Sequence, residues 1–116
     1  MQVRIKHAQI KAITEELLRR QGGLCEICEK EMTQRDGPVL DHDHDTGVLR
    51  GVIHRSCNAA EGKVRIKAIW AHKGVGKTNF LIGLGKYLEK HKNNPRNLLH
   101  SSWLSKKEKA VMKILK

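Results

Sequence analysis

The chain is poor in aromatic residues, with one Phe, one Tyr and two Trp among 116 residues. At 39% hydrophobic residues overall, so few large rings make a thin core, and a chain of this size then needs a staple beyond packing. Only three cysteines are present, an odd number that cannot close a complete disulfide framework. No apolar run approaches the roughly 18 to 20 residues of a membrane span. Residues 1–6 lack a signal-peptide pattern, because charges interrupt every apolar stretch that follows them. Together these absences predict a reduced, soluble, cytoplasmic protein with no membrane partner.

Acidic residues are also scarce, but only in one half. Residues 1–62 hold nine Lys/Arg and ten Asp/Glu, whereas residues 63–116 hold fourteen and two. A one-signed field on half of a small protein favours polyanions through counterion release, and nucleic acid is the expected partner. The shift in charge and pattern divides the chain into residues 1–64 and a basic helical arm, residues 65–116, suited to holding the DNA backbone or to dimerisation.

Ile10, Ile13 and Leu17 recur at helical spacing and Gly22-Gly23 follows, so a helix is expected over residues 6–21. Val39-Leu40 and Val48–Ile53 read as two short strands around Thr46-Gly47, and a polar helical pattern runs from His54 to a stop near Gly62. Beyond it, Phe80, Leu81, Leu84 and Leu88 mark a helix over about residues 78–92, closed by Asn93-Asn94-Pro95. Ser105 and Glu108 have the spacing of a capping box before a last short helix. The expected class is α+β, with the order strand, strand, helix at its centre.

Cys25 and Cys28 are spaced like His54 and Cys57, giving C-x2-C…H-x2-C. Two such pairs on tight turns supply the four N or S ligands of a tetrahedral Zn²⁺. A closed set of four leaves no open position for water, so this zinc is read as structural, and catalysis must come from elsewhere. Between the pairs lies Asp41-His42-Asp43-His44-Asp45. Asp41, Asp43 and the carboxamide of Asn58 offer the oxygens that a hard ion such as Mg²⁺ or Mn²⁺ prefers, and His42 or His44 could take a proton from water. Phosphodiester hydrolysis needs that pairing of base and cation.

The ordered set Cys25-x-x-Cys28, Asp41-His42-Asp43-His44, Thr46-Gly47, Arg50-Gly51 and His54-x-x-Cys57-Asn58-Ala59-Ala60-Glu61-Gly62 resembles the phage recombination endonuclease VII family, within the wider H-N-H or His-Me finger nucleases. The resemblance covers roughly residues 6–64. It implies a zinc-stapled ββα-metal core with zinc on Cys25, Cys28, His54 and Cys57. It also implies a catalytic divalent metal on Asp41 and Asn58 and His42 as general base, with His44 and Glu61 at further active-site positions. Two departures are visible. His54 stands where founding members have Cys, which zinc accepts, and residues 65–116 match no known part of the junction-resolving members. The second departure tilts the expectation toward a nuclease that nicks or cuts duplex DNA. The alternatives are a branched-DNA resolvase, which requires a homodimer, and a zinc-knuckle DNA-binding protein without catalysis.

In a regular strand Asp41 and His42 point to opposite faces, so both reach one phosphate only if the strand ends or bulges there; a strict strand would favour Asp43 beside Asp41. Ala71 to Thr78 looks like a degenerate phosphate-binding loop, but it lacks the first glycine and no Asp follows Asp45, so no nucleotide cofactor is expected. Lys73 and Lys77 are instead read as DNA-phosphate ligands, together with Lys63, Arg65 and Lys67, while Arg50 and Arg55 are expected nearest the scissile phosphate. Trp70 and Trp103 are read as core or interface anchors.

Overall fold

A computed structural model describes residues 2–71 and 74–115. Lys73, expected at a DNA phosphate, and Lys116 lie outside the described residues. A 3-10 turn, His7–Gln9, leads into α1, Ile10–Arg20. The α1 helix stops where Gly22 and Gly23 adopt φ of 70° and 78°, which lets the Gly23 N–H return to the Leu18 carbonyl at 2.9 Å. The chain then turns through residues 24–31, closed by an antiparallel bridge between Leu24 and Glu31.

Strands β1, Pro38–His42, and β2, Leu49–His54, form a two-stranded antiparallel sheet, and α2, Arg55–Ala71, follows directly. Helix α1 packs on both strands, as does α2, and the expected order of strand, strand, helix holds. A third helix, α3, spans Lys77–Asn93 and rests on α2. The last, α4, Lys106–Leu115, begins with the expected capping box, Ser105 and Glu108 exchanging hydrogen bonds of 3.1 and 3.2 Å, and packs against no other described element. The class is α+β.

One boundary differs from the sequence pattern. The helix expected to stop near Gly62 runs nine residues further, to Ala71. Arg65 pairs with Glu61 one turn back, across the glycine, and Ala68 is buried, so tertiary anchoring outweighs the roughly 1 kcal/mol cost of a helical glycine. The charge boundary between residues 64 and 65 therefore falls along one continuous helix.

Among the described residues the buried apolar core is Cys25, Val52, Ile53 and Ala68. The radius of gyration is 20.3 Å, with extents of 63 × 38 × 29 Å, against about 13 Å for a compact chain of similar length. Trp70 is 83% exposed and Trp103 55%, so of the core and interface roles expected of them the core role does not hold. No described helix is long and apolar enough to cross a membrane.

Candidate active site

The four sequence-paired ligands come together. The Sγ atoms of Cys25, Cys28 and Cys57 and a ring nitrogen of His54 all lie within 4.8 Å of one another. Zinc–sulfur bonds of about 2.3 Å in a tetrahedron place ligand atoms about 3.8 Å apart, so the group fits one Zn²⁺. Local structure fixes each ligand. The knuckle bends through Glu29 at φ 61°, with Cys25 N–H bonded to the Lys30 carbonyl at 2.9 Å. His54 ends β2, donates its backbone N–H to Cys25 Sγ at 3.4 Å, and bonds the Glu31 carbonyl through Nε2 at 2.8 Å. That last bond leaves Nδ1, 3.2 Å from Cys28 Sγ, as the ligating nitrogen.

The electrostatics suit a cation. Burial pushes the Cys25 thiol up, but backbone N–H groups of Cys28, His54 and Ile27 outweigh it and bring it down to about 6. Burial and the neighbouring thiols push Cys57 up to about 11, and the Glu31 carbonyl, against a smaller effect of burial, raises His54 to about 9. A Zn²⁺ held there would replace the protons on those two groups and would join four ligands drawn from two segments 25 residues apart.

Beside this centre the hairpin is irregular. Leu40 pairs with Val52 but His42 pairs with Leu49, so Asp41 faces two residues, Arg50 and Gly51, and β1 ends one residue later. The break expected at Asp41 and His42 is present. Buried Gly51 lies under the Glu26 carboxylate, the movable end of an exposed side chain, which a Cβ there would push aside. Asp41 is 7% exposed. The His42 and His44 rings stack at the rim with centroids 5.2 Å apart, both residues exposed. Asp43 serves the turn instead of pairing with Asp41: its carboxylate accepts the N–H groups of Asp45 and Thr46 at 2.8 and 3.0 Å, which hold it below the usual carboxylate range.

Asn58 and Glu61 are three residues apart on α2 and so share a face. Asn58 is half-buried. Glu61 reaches the hairpin through Arg50, whose guanidinium bonds Asp41 Oδ2 at 2.6 Å and Glu61 Oε1 at 3.3 Å; those carboxylates, Asp41 first, hold its proton more tightly than usual. Arg65 donates to the same Oε1 at 3.2 Å, while Glu61 Oε2 is buried with no hydrogen-bond donor.

Three of the residues expected at DNA are therefore engaged within the chain: Arg50, Arg65, and Lys77, whose Nζ bonds Asp45 Oδ2 at 2.5 Å. Arg55, Lys63 and Lys67 are exposed. Two residues that sequence reasoning missed hold the frame. The Gln21 side chain bonds Val52 like a neighbouring strand, accepting its N–H and donating to its carbonyl, both at 2.8 Å. Asp36 caps α2 through the Ser56 N–H, at 2.9 Å, and the Ser56 hydroxyl. Neither carries a sequence signal, since each acts across 20 or more residues.

Fold and site together define a small α+β protein with a Cys3His metal centre adjoining a carboxylate–histidine cluster on a hairpin and helix. The recombination endonuclease VII family model matches residues 2–90, and the chain belongs to that family of nucleases. The match runs beyond the expected residue 64 and takes in α2 and most of α3. The Gene 59 proteins of Mycobacterium phages D29 and L5 are 45% and 42% identical over 38 residues, 33% of this chain. The chain spans 23% of the length of these curated relatives.

Proposed function

We propose that this protein is a metal-dependent DNA endonuclease of the H-N-H type that hydrolyses phosphodiester bonds in branched DNA. The observation that carries this reading is Asp41, a buried carboxylate at a break in the hairpin register, joined through Arg50 to Glu61 on the helix that also presents Asn58. The Asp41 carboxylate and the Asn58 carboxamide oxygen would hold a Mg²⁺ or Mn²⁺ ion, and the unpartnered Glu61 Oε2 supports a cation there. When bound, the ion supplies Lewis-acid stabilisation of the phosphorane charge and of the leaving 3′ oxygen.

His42 takes a proton from water, whose oxygen then bonds phosphorus as the P–O3′ bond breaks, leaving a 5′-phosphate. Stacking against His44 orients the His42 ring at the exposed rim, where a backbone can approach. Exposed Arg55, Lys63 and Lys67 neutralise neighbouring phosphates without reading bases.

Duplex DNA was favoured because residues 65–116 resembled nothing in the junction-resolving members. The family match through residue 90 takes in the first half of that stretch and supports a recombination intermediate as substrate. Such a substrate has two strands to cut, so two copies of the chain would act together. Exposed Ile66 and Ile69 on α2, and Ile82, Tyr87 and Leu88 on α3, give a second copy an apolar surface to meet. The test sets a four-way junction against linear duplex and supercoiled plasmid, with sedimentation of the protein alone. Paired, Mg²⁺-dependent cuts in the junction by a dimer are expected. Equal cutting of the duplex by a monomer would return the reading to a duplex nickase.

A further inference from the structure

The ion pair between Arg50 and Asp41 is not needed to hold the hairpin, which is already fixed by its ladder, the Gln21 clamp and the zinc ligands. It does meet another need. A carboxylate as buried as Asp41 is costly to keep ionised without a cation beside it, because an unpaired buried charge costs several kcal/mol. Asp41 and Glu61 are balanced by Arg50 and Arg65, and the pairing is incomplete, since Glu61 Oε2 is buried with no donor. A divalent cation added to that balanced cluster would leave two excess positive charges, of which the departure of one guanidinium removes one and an incoming phosphate the other. Arg65 is the poorer candidate to move, being 16% exposed and anchored one helical turn from its partner. The Arg50 side chain is 38% exposed and lies on the strand that faces the break.

We propose that Arg50 is a resident counter-ion of the metal site: it occupies the Asp41 carboxylate until a divalent metal displaces it, and the freed guanidinium then pairs with a DNA phosphate. This rests on the reading of Asp41 as a metal ligand. It makes metal and DNA binding mutually reinforcing, since each removes a reason for Arg50 to stay on Asp41. Arg50 is thus a positioning residue that reports metal occupancy to the DNA-binding surface. Its pairing to Asp41 and its expected contact with phosphate become two states of one side chain.

The test is direct Mn²⁺ binding, by electron paramagnetic resonance, to zinc-loaded wild type, Arg50→Gln and Arg50→Lys at equal zinc content and without DNA. Losing the competitor should tighten Mn²⁺ binding in Arg50→Gln by about tenfold, a typical size for coupling between sites, with Arg50→Lys between the two. Unchanged or weaker binding in Arg50→Gln overturns the proposal, as does no binding by any of the three. A second measurement needs no variant. The Arg50 Nε–H, bonded to Asp41 at 2.6 Å, should give a slowly exchanging, downfield nitrogen-correlated proton signal in zinc-loaded wild type, and that signal should be lost on titration with Mg²⁺. A signal that persists at saturating Mg²⁺ overturns the exchange. Plasmid and junction cleavage are scored separately. Tighter binding in Arg50→Gln without cleavage by wild type would sink the nuclease reading and leave this inference standing, and cleavage with unchanged binding would do the reverse.

Discussion

The two ends of the molecule carry similar helix-forming patterns but are held by different means. From α1 to the start of α2 the chain is tied at every turn, by the four zinc ligands, the Gln21 clamp, the Asp36 cap and the Asp41–Arg50–Glu61–Arg65 chain of charges. From α3 onward, among the described residues, support comes from α2 and from the Lys77–Asp45 ion pair, and α4 leaves Val111, Ile114 and Leu115 exposed. The contrast teaches that an amphipathic pattern alone does not make a fold. In the first half polar side chains and a Cys3His group able to hold a metal specify the geometry, whereas in the second, among the described residues, α2 covers part of α3 and nothing covers α4.

The largest effect expected is from zinc removal. Chelation, or Cys57→Ser, should abolish the cooperative unfolding transition and the near-ultraviolet signal while much of the α4 helical signal survives, because apo structural zinc sites rarely hold their fold. A full loss of helicity would show that the two halves fold as one. Next in size is Gln21→Ala, which takes the Gln21 acceptor from the N–H of Val52, a fully buried residue, and leaves its carbonyl only the Glu26 N–H at 3.2 Å. It should cost about 2 kcal/mol by chemical denaturation with zinc content retained.

A smaller change is expected from Asp36→Asn, and it depends on pH. The Ser56 hydroxyl and N–H hold the Asp36 carboxyl below its ordinary value. Its stabilising effect is thus complete above the unfolded value of about 4 and is lost as pH falls through the lower folded value. The melting temperature of wild type should exceed that of Asp36→Asn at about pH 6, and the gap should close toward about pH 3. A gap that widens in acid would show that the cap does not act through its charge. Smallest of all, Ser105→Ala should weaken α4 by about 1 kcal/mol. Circular dichroism should register that local loss with the main transition unmoved.

Much of the first half was legible because its signals are local. The C-x2-C and H-x2-C pairs, the strand pattern and the turn at Gly47 each lie within a few residues, and the break at Asp41 follows from asking how adjacent side chains could serve one phosphate. What was not legible acts across distance. Arg50 looks like a free cation for DNA, since nothing in its neighbourhood along the chain reveals that Asp41 and Glu61 would claim it, whereas the partner of Arg65 stands only four residues back, at Glu61. Gly62 looked like a stop, because the i,i+4 pair that carries α2 past it matters only once Glu61 is held against the hairpin. Of the core and interface roles open to Trp70, exposure removes the first, since burial within the chain presumes a partner surface that the described residues do not supply.

The most direct test of the account is cleavage of a labelled four-way junction by the zinc-loaded protein, with and without Mg²⁺, beside His42→Ala and Asn58→Ala at equal zinc content. The account predicts Mg²⁺-dependent cutting that both substitutions abolish while all three proteins still shift the junction on a gel. Cutting retained in His42→Ala or Asn58→Ala, or binding by wild type with no cutting at any metal concentration, would contradict it.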